Sequence, residues 1–296
     1  MTPPFDLARY MEERRELIEA GLDTAFSPAD PPEVLFQAMR YSLLGNGKRL
    51  RPLLCLATAE TFGITAEQAL PAALALELVH CYSLIHDDLP AMDDDDLRRG
   101  KPTNHKVYGE ATALLAGDGL LTHAFELVAG PMAVAPERQL LMIRRLAHAA
   151  GPYGMVGGQQ ADLLAEHKDG TLAELEFIHQ HKTGALIQAA VVIGGLFADI
   201  SSSQKTALEN YGSLIGLAFQ MMDDYLDVVG STEALGKTKG SDLRLEKFTY
   251  PRLVGLDETR TRAVHAVKAA EDELLRAGIQ SAVLNAIARF IVSREH

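Results

Sequence analysis

The chain has 296 residues, enough for one or two domains with a large buried core. Apolar residues make up 47% and aromatic residues only 6%, with no tryptophan, so the core must consist mainly of Ala, Leu, Val, Ile and Met. That composition favours helices over a β-sandwich or barrel. The 28 basic and 40 acidic residues give a net charge of −12, which argues against nucleic acid or anionic lipid as the main partner.

The cysteines and the charged N-terminal segment point to a cytoplasmic protein. Residues 1–16 carry seven charged side chains and no apolar stretch, so they do not resemble a signal peptide. Cys55 and Cys81 match no CxxC or zinc-binding spacing, and we expect two free thiols. The most apolar stretch, residues 184–200, is short for a membrane span and contains Gln188 and Asp199. It predicts a buried core helix.

Helical periodicity extends through almost the whole chain. Residues 7–22 place apolar side chains at three- and four-residue steps, as an amphipathic helix does. Pro52 suits the first turn of the next helix, residues 66–85 predict an apolar helix, and residues 172–198 and 204–229 predict two more long helices. No run alternates as a strand does, and no repeat or linker divides the chain. We therefore predict an all-α fold with one domain over residues 1–296.

Six aspartates lie within residues 87–96, directly after the apolar helix, and Arg98 and Arg99 follow them. Taken alone, such a run is as often a solvated acidic loop or a helix cap. A second cluster lies within residues 219–227, where Asp223 and Asp227 are four apart and share one face of a predicted helix. Oxygen ligands without His or Cys favour Mg²⁺, which binds through one or two carboxylates plus substrate phosphates. Two such clusters suggest facing carboxylate patches whose metal ions bridge one diphosphate.

The ordered blocks resemble the trans-isoprenyl diphosphate synthase (polyprenyl synthetase) family, and specifically its bacterial farnesyl diphosphate synthases. The blocks are Gly47–Pro52, Tyr82–Thr103, Gly157–Gln159 with Asp162, Lys182–Gly184, Phe219–Asp227 and Gly236–Asp242. The resemblance implies the isoprenoid synthase fold, a large helical bundle around a deep central cavity, usually as a homodimer. It implies Mg²⁺-dependent, head-to-tail condensation of isopentenyl diphosphate with dimethylallyl or geranyl diphosphate by ionisation, condensation and elimination, releasing pyrophosphate.

The resemblance also assigns roles residue by residue. It implies three Mg²⁺ ions with substrate bound, for which Mn²⁺ can substitute, on Asp87, Asp93 and Asp223, with Asp88 and Asp227 as auxiliary ligands. The positions that hold the allylic diphosphate are Arg98, Lys182 and Lys237, and those that hold isopentenyl diphosphate are Lys48, Arg51, His80 and Arg99. Thr183 and Gln220, with backbone carbonyls near Lys182, would turn oxygen dipoles toward the carbocation. The departing pyrophosphate is the family's proton acceptor. The C-terminal segment 289–296 is a candidate to close over the site.

The resemblance bears on product length through Tyr82 and Ser83. Tyr82 precedes Asp87 by five residues, about 7.5 Å along a helix, so it lies below the metal site where a growing tail would descend. A bulky aromatic at this position resembles the floor that stops elongation at C15, whereas Ser83 is too small to block. Asp87 and Asp93 are six residues apart and not four, so the first motif carries a two-residue insertion around Pro90. This insertion resembles that of the bacterial C15 group, but plant-type geranylgeranyl synthases share it. Farnesyl diphosphate is the predicted product, and geranylgeranyl diphosphate is the alternative.

Three other readings fit less well. A histidine–aspartate hydrolase needs an earlier histidine as a metal ligand, but His80 is the first in the chain. A terpene cyclase shares the first aspartate cluster but typically replaces the second with an Asn/Ser/Glu motif, which is not found here. An inactive subunit that only shapes another synthase's product usually loses one cluster, and both are intact here.

Overall fold

The computed structural model describes residues 5–45, 47–165, 170–235 and 248–294, and they are almost entirely helical. The all-α prediction is confirmed. These residues form two compact units along the chain. The N-terminal unit comprises Asp6–Ile143 with Leu196–Ala198, and the C-terminal unit comprises Arg144–Gly195 and the residues from Asp199 onward, with Phe5. One domain over the full length stays a prediction.

The N-terminal unit is built on seven helices and one small hairpin among its described residues. In chain order they are α1 (Leu7–Thr24), α2 (Glu33–Leu43), α3 (Leu50–Thr61), α4 (Ala66–Asp87), β1 (Leu97–Arg98), β2 (Lys101–Pro102), α5 (Asn104–Tyr108), α6 (Glu110–Ala129) and the first part of α7 (Pro136–Ala150). The helices predicted over residues 7–22 and 66–85 are confirmed, and Pro52 lies in the first turn of α3.

Helix α4 forms the core of this unit and carries the first aspartate cluster at its end. It starts with a capping box in which Thr65 and Gln68 satisfy each other's backbone N–H groups. It is apolar on nearly every side and packs against α3 and α6. It is the one described helix long and apolar enough to cross a membrane, but 67% of the tested window is buried. That burial is what a core helix requires.

The hairpin was not predicted, because its strands contain no β-branched residues. Leu97 pairs with Pro102 and Arg98 pairs with Lys101 in an antiparallel register. The two turn residues, Arg99 and Gly100, have φ angles of 53° and 76°. Positive φ at both central residues matches the right-handed twist of a two-residue hairpin. The turn therefore fixes where Arg98 and Arg99 emerge from the backbone.

The C-terminal unit surrounds the long helix α11. Its described elements are the last part of α7, α8 (Met155–Ala165), α9 (Leu172–Ile178), a π-helix (His179–Gly184), α10 (Ala185–Gly195), α11 (Ser202–Leu235), α12 (Tyr250–Val254), α13 (Leu256–Arg276) and α14 (Ala282–Ser293). The second long helix was predicted over residues 204–229, and α11 contains it. The apolar α10 is buried throughout most of its length, as predicted for residues 184–200.

The helix predicted over residues 172–198 is interrupted, because it contains the π-helix and ends at Gly195. Neighbouring backbones approach this π-helix at glycines. A Cβ on Gly158 of α8 would lie 2.1 Å from the backbone N of Lys182, and one on Gly216 of α11 would lie 2.9 Å from the Cα of Gly184. Apolar periodicity does not reveal a single turn that is wider than an α-helical one. The π-helix could therefore not be predicted from the sequence. Such turns occur frequently at functional sites.

Candidate active site

The first aspartate cluster forms a turn that folds back on the end of α4. The backbone N–H of Asp93 donates to the carbonyl of Asp87 over 2.9 Å, so the two predicted metal ligands lie at the base of one turn. The aspartates at positions 93–96 are exposed, and Asp94 has a φ of 50°. The exposure agrees with the solvated loop expected for residues 94–96.

Asp88 is buried and pairs with Arg98 of the hairpin. The Arg98 Nε and Nη2 atoms lie 2.7 and 2.6 Å from Asp88 Oδ1. Burial opposes the charge on Arg98, but the hydrogen bond and the negative charge of Asp88 outweigh it and raise the pKa of Arg98. The pair holds Arg98 beside the exposed turn. The metal role of Asp88 and the diphosphate role of Arg98 stay predictions.

The basic residues predicted to hold isopentenyl diphosphate lie together in the N-terminal unit. Burial lowers the pKa of His80 well below its usual 6.5, and the charges of Arg51 and Arg99 lower it further. Burial and the neighbouring Arg49 and Arg98 also lower the pKa of Arg99, although Glu77 partly offsets them. Lys48 is exposed on the adjoining loop. Such crowding of like charges favours an anion.

A small cavity beside these groups joins the basic residues to the end of α4. Its lining includes Cys81, Leu84, Ile85, Asp88, Arg98 and Arg99. Both cysteines of the chain are buried and free, as expected. The walls contributed by α4 are apolar and the hairpin side is cationic, an arrangement suited to a short apolar ligand with an anionic end.

Tyr82 is buried one turn below Asp87. Its ring packs edge-on against His86, with 5.6 Å between centroids, and His86 occupies the space over Gly117 of α6. Burial raises the pKa of Tyr82 to about 12, and the charge of Asp87 adds to the shift. Tyr82 is therefore close to the predicted metal site. Ser83 donates to the carbonyl of His80 and is half-buried.

The second cluster lies on α11, as the spacing predicted. Asp224 is mostly buried and accepts a hydrogen bond from the backbone N–H of Tyr250 over 2.9 Å. Burial raises the pKa of Asp224 to about 7; the Tyr250 hydrogen bond opposes this shift, whereas the charges of Asp223 and Asp227 add to it. Asp224 is therefore harder to ionise than a solvated aspartate, and a cation nearby would favour its charged form.

Lys182 and Thr183 lie in the π-helix, and Gln220 lies one turn before Asp223 on α11. Lys182 Nζ is 2.6 Å from Asp162 Oδ2 of α8, a pairing to which the sequence assigned no role. Thr183 and Gln220 are half-buried. The predicted Lys237 lies outside the described residues.

Arg294, directly after α14, contacts the second cluster and was not singled out by the sequence. Its Nη2 donates to Asp223 Oδ1 and to the carbonyl of Phe219, and its guanidinium stacks over the Phe219 ring at 4.1 Å. The side chain is only 4% exposed. Arg294 therefore pairs with Asp223 within this unit, and the Asp223 side chain remains 40% exposed. The only hint in the sequence was that Arg294 belongs to segment 289–296, the candidate to close over the site.

The two clusters offer the oxygen donors that Mg²⁺ prefers, and they do not form a closed site made only of protein ligands among the described residues. Within the described residues, no three His, Cys, Asp or Glu side chains form a ready-made metal site. Each cluster instead offers a few hard oxygen donors with exposed positions nearby. Mg²⁺ uses such donors, completing its shell with waters and substrate phosphates.

The raised pKa of Asp224 leads to a testable prediction about stability. Because the native state raises the Asp224 pKa from 3.8 to about 7, the folded protein binds more protons than the unfolded chain in this window. Stability contributed by this site should fall as the pH rises from 4 to 7 and stay low above 7. We expect Asp224→Asn, which keeps an acceptor for Tyr250, to raise the free energy of unfolding at pH 8.5 by roughly 2–4 kcal/mol.

Urea titration in EDTA at pH 8.5 and pH 4.5 measures this gain. The gain in the free energy of unfolding should be smaller at pH 4.5. The control is Asp199→Asn, at an exposed aspartate of the same unit, which should leave the free energy of unfolding unchanged at both pH values. An equal gain in the free energy of unfolding at both pH values would contradict our view that the ionised carboxylate of Asp224 destabilises the protein.

Comparisons with known proteins show which family this chain resembles. Residues 32–282 match the family model described as polyprenyl synthetase. A farnesyl diphosphate synthase of Geobacillus stearothermophilus is 46% identical over 97% of this chain and 98% of its own length. A geranylgeranyl diphosphate synthase of Cyanophora paradoxa is 47% identical over 99% and 98%.

A solved structure shares the fold as well as the sequence. An FPP/GFPP synthase from Zymomonas mobilis superposes with a TM-score of 0.86 at 38% identity, covering 97% of this chain and 98% of that one. This likeness confirms the predicted isoprenoid synthase fold. The chain therefore belongs to the polyprenyl synthetase family and is a prenyltransferase of the trans type.

Proposed function

We propose that this protein is a farnesyl diphosphate synthase that condenses isopentenyl diphosphate with dimethylallyl and then geranyl diphosphate. The observation that carries the proposal is the separation of two kinds of diphosphate-binding group. Carboxylates dominate the turn after α4 and the α11 cluster, whereas Lys48, Arg51, His80 and Arg99 form a basic site. A diphosphate that must leave needs metal-assisted charge neutralisation, and one that must stay needs only cations.

Mg²⁺ is the proposed cofactor, held by Asp87 and Asp93 after α4 and by Asp223 and Asp227 on α11, with Asp88 as an auxiliary ligand. Bound there, it supplies charge neutralisation for the departing pyrophosphate. Mn²⁺ is a proposed substitute, since it also favours oxygen donors. The raised pKa of Asp224 supports the second site: burial is its main cause, and the charges of Asp223 and Asp227 add to it, a repulsion that a cation would relieve.

The protein's own groups have separate tasks in this proposal. Arg98, Lys182 and Lys237 bind the allylic diphosphate, with Arg98 oriented by Asp88 and Lys182 by Asp162. Isopentenyl diphosphate occupies the basic site, where arginines bind phosphate oxygens with two parallel N–H groups. Thr183 and Gln220 offer oxygen dipoles to the allylic cation, which a stronger base would quench. The proton lost on elimination goes to the departing pyrophosphate.

Tyr82 supports C15 as the product length. The ring is buried and close enough to Asp87 for the carboxylate charge to raise the Tyr82 pKa. In this proposal an isoprenoid tail that grows from the metal site meets the ring. The alternative is a geranylgeranyl diphosphate synthase, which is favoured by relatives of that name at similar identity. The remote alternative of an inactive product-modulating subunit predicts no turnover at all.

A homodimer in the cytoplasm completes the proposal. The N-terminal unit exposes Leu114 and Leu115 on α6 and Leu140 and Leu141 on α7, between 40% and 57% of each side chain. Exposed leucines that occur in adjacent pairs on each of these helices suit a partner surface. The two buried free thiols suit a reducing compartment.

One assay tests activity and product length together. The purified protein is incubated with isopentenyl diphosphate, dimethylallyl or geranyl diphosphate and Mg²⁺, and the dephosphorylated products are separated by chromatography. We expect farnesol from either starter and no turnover in EDTA. Mainly geranylgeraniol would favour the alternative, and no prenyl product under any condition would refute the synthase activity.

A further inference from the structure

Arg49 is a buried cation at which four helices of the N-terminal unit meet. It precedes α3 with a φ of 51°, and its side chain is only 2% exposed. The guanidinium Nε donates to Glu19 of α1 over 2.8 Å, and Nη1 donates to Glu77 of α4 over 2.7 Å. Nη2 donates to the carbonyls of Leu43 and Gly45 over 2.8 and 2.9 Å, at the end of α2. One side chain therefore ties α1, α2 and α4 to the start of α3.

This junction lies directly behind the basic site. Arg49 directly follows Lys48 and precedes Arg51 by two residues, so anchoring its side chain constrains the backbone from which both extend. A Cβ on Gly47 would lie 2.9 Å from Arg99 Nη1 and 3.1 Å from Arg49 Nη1, which puts both guanidinium groups against the same stretch of backbone. The charge of Arg49 also acts on His80. All four residues proposed to bind isopentenyl diphosphate thus adjoin Arg49.

Two carboxylates balance the charge of Arg49 so that it can stay buried there. Glu77 is itself 2% exposed, and its Oε2 has no hydrogen-bond partner among the residues that the structure describes. The charge of Glu77 is also the main factor that raises the pKa of Arg99, against the burial and the neighbouring arginines that lower it. A buried carboxylate that is only half satisfied costs stability, and such groups are tolerated where they serve a site.

We infer that Arg49, held by Glu19 and Glu77, is a positioning residue that assembles Lys48, Arg51, His80 and Arg99 into one diphosphate site. Its guanidinium donates to protein groups on three sides, so it acts through its fork-shaped geometry and does not touch the diphosphate. A lysine would keep the charge but could not span Glu19, Glu77 and the two carbonyls at once. The inference rests on the proposed function for the identity of the ligand, isopentenyl diphosphate.

Calorimetric titration of isopentenyl diphosphate in EDTA tests the inference without metal or turnover. We expect Arg49→Lys to weaken binding at least about 30-fold, since bidentate geometry is lost at a junction of four helices. Glu19→Ala, which removes a partly exposed partner on α1, should weaken binding about 3- to 10-fold. Glu16→Ala, at an exposed position of the same helix, is the matched control and should bind as the wild type does. Glu77→Gln keeps the acceptor for Arg49 and should stay within about 3-fold.

Steady-state kinetics separate positioning from a general loss of structure. In Glu19→Ala we expect the KM for isopentenyl diphosphate to rise in step with the dissociation constant, whereas the KM for geranyl diphosphate and the saturated kcat stay within about 3-fold. Equal changes in both KM values, or unchanged affinity in both Arg49→Lys and Glu19→Ala, would overturn the inference. Tighter binding by Glu77→Gln would also overturn it, because charge and not geometry would then dominate. If Arg49→Lys does not fold, Glu19→Ala carries the test alone. No binding by the wild type would instead refute the proposed isopentenyl site.

Discussion

Asp87→Asn should lower kcat about 10³-fold while the protein stays folded, the larger of the two main effects expected on activity. The substitution keeps the side-chain shape at the end of α4 but removes the charge proposed to hold the cation on the allylic diphosphate. Because that charge matters most as the carbon–oxygen bond breaks, kcat should fall far more than the KM for geranyl diphosphate changes. Product formation with saturating substrates, measured over a range of Mg²⁺ concentrations, gives the comparison.

Asp94→Asn is the matched control for this experiment. Asp94 belongs to the same acidic run, but it is exposed and has a φ of 50°, a conformation that asparagine tolerates well. We expect its kcat to remain within about 3-fold of the wild type, since an exposed charge in high dielectric contributes little. Similar losses in both variants would mean that the acidic run acts as a whole and that Asp87 has no separate role.

Tyr82→Ala should change the main product from C15 to C20 or longer. The substitution removes a buried ring beside Asp87 and leaves space one turn below the proposed metal site. A further five-carbon unit can then descend before the chain meets a wall. Chromatography of dephosphorylated products, with geranyl and farnesyl diphosphates as starters, measures the shift.

Two further variants test whether the size of the Tyr82 ring, and not its hydroxyl group or the neighbouring Ser83, sets the product length. Tyr82→Phe keeps the ring and should keep the C15 product, and Ser83→Ala should leave the distribution unchanged. Loss of the ring also destabilises the protein by about 3–5 kcal/mol, as for other aromatic-to-alanine changes in cores, so the assay is run well below the melting temperature. An unchanged product distribution in Tyr82→Ala would refute the role of Tyr82 as the floor.

The sequence predicted the helices well because their signals are local. The apolar positions of α1, the apolar run of α4 and the four-residue spacing of Asp223 and Asp227 are all visible in short windows. The π-helix was missed because it depends on backbones that approach at Gly158 and Gly216, far from it in sequence. The hairpin was missed because its register comes from a two-residue turn and not from strand propensity.

The candidate residues could be named from the family's blocks, but their partners could not. Nothing in the sequence joins Asp88 to Arg98, Asp162 to Lys182 or Arg294 to Asp223, because each pair depends on packing between elements that the sequence places apart. Glu77 and Glu19 were also missed, since isolated acidic residues within helices are usually solvated surface. Burial, which only the fold reveals, gives these carboxylates their importance.

The glycine contacts around the π-helix have a consequence for how Lys182 and Thr183 respond to thermal motion. Because the backbones of α8 and α11 touch this segment with no side-chain layer between them, it cannot open without separating helices on both sides. Its amide hydrogens should therefore exchange with solvent mainly through global unfolding, like those of a core strand. Lys182 and Thr183 therefore lie on a stiff part of the C-terminal unit.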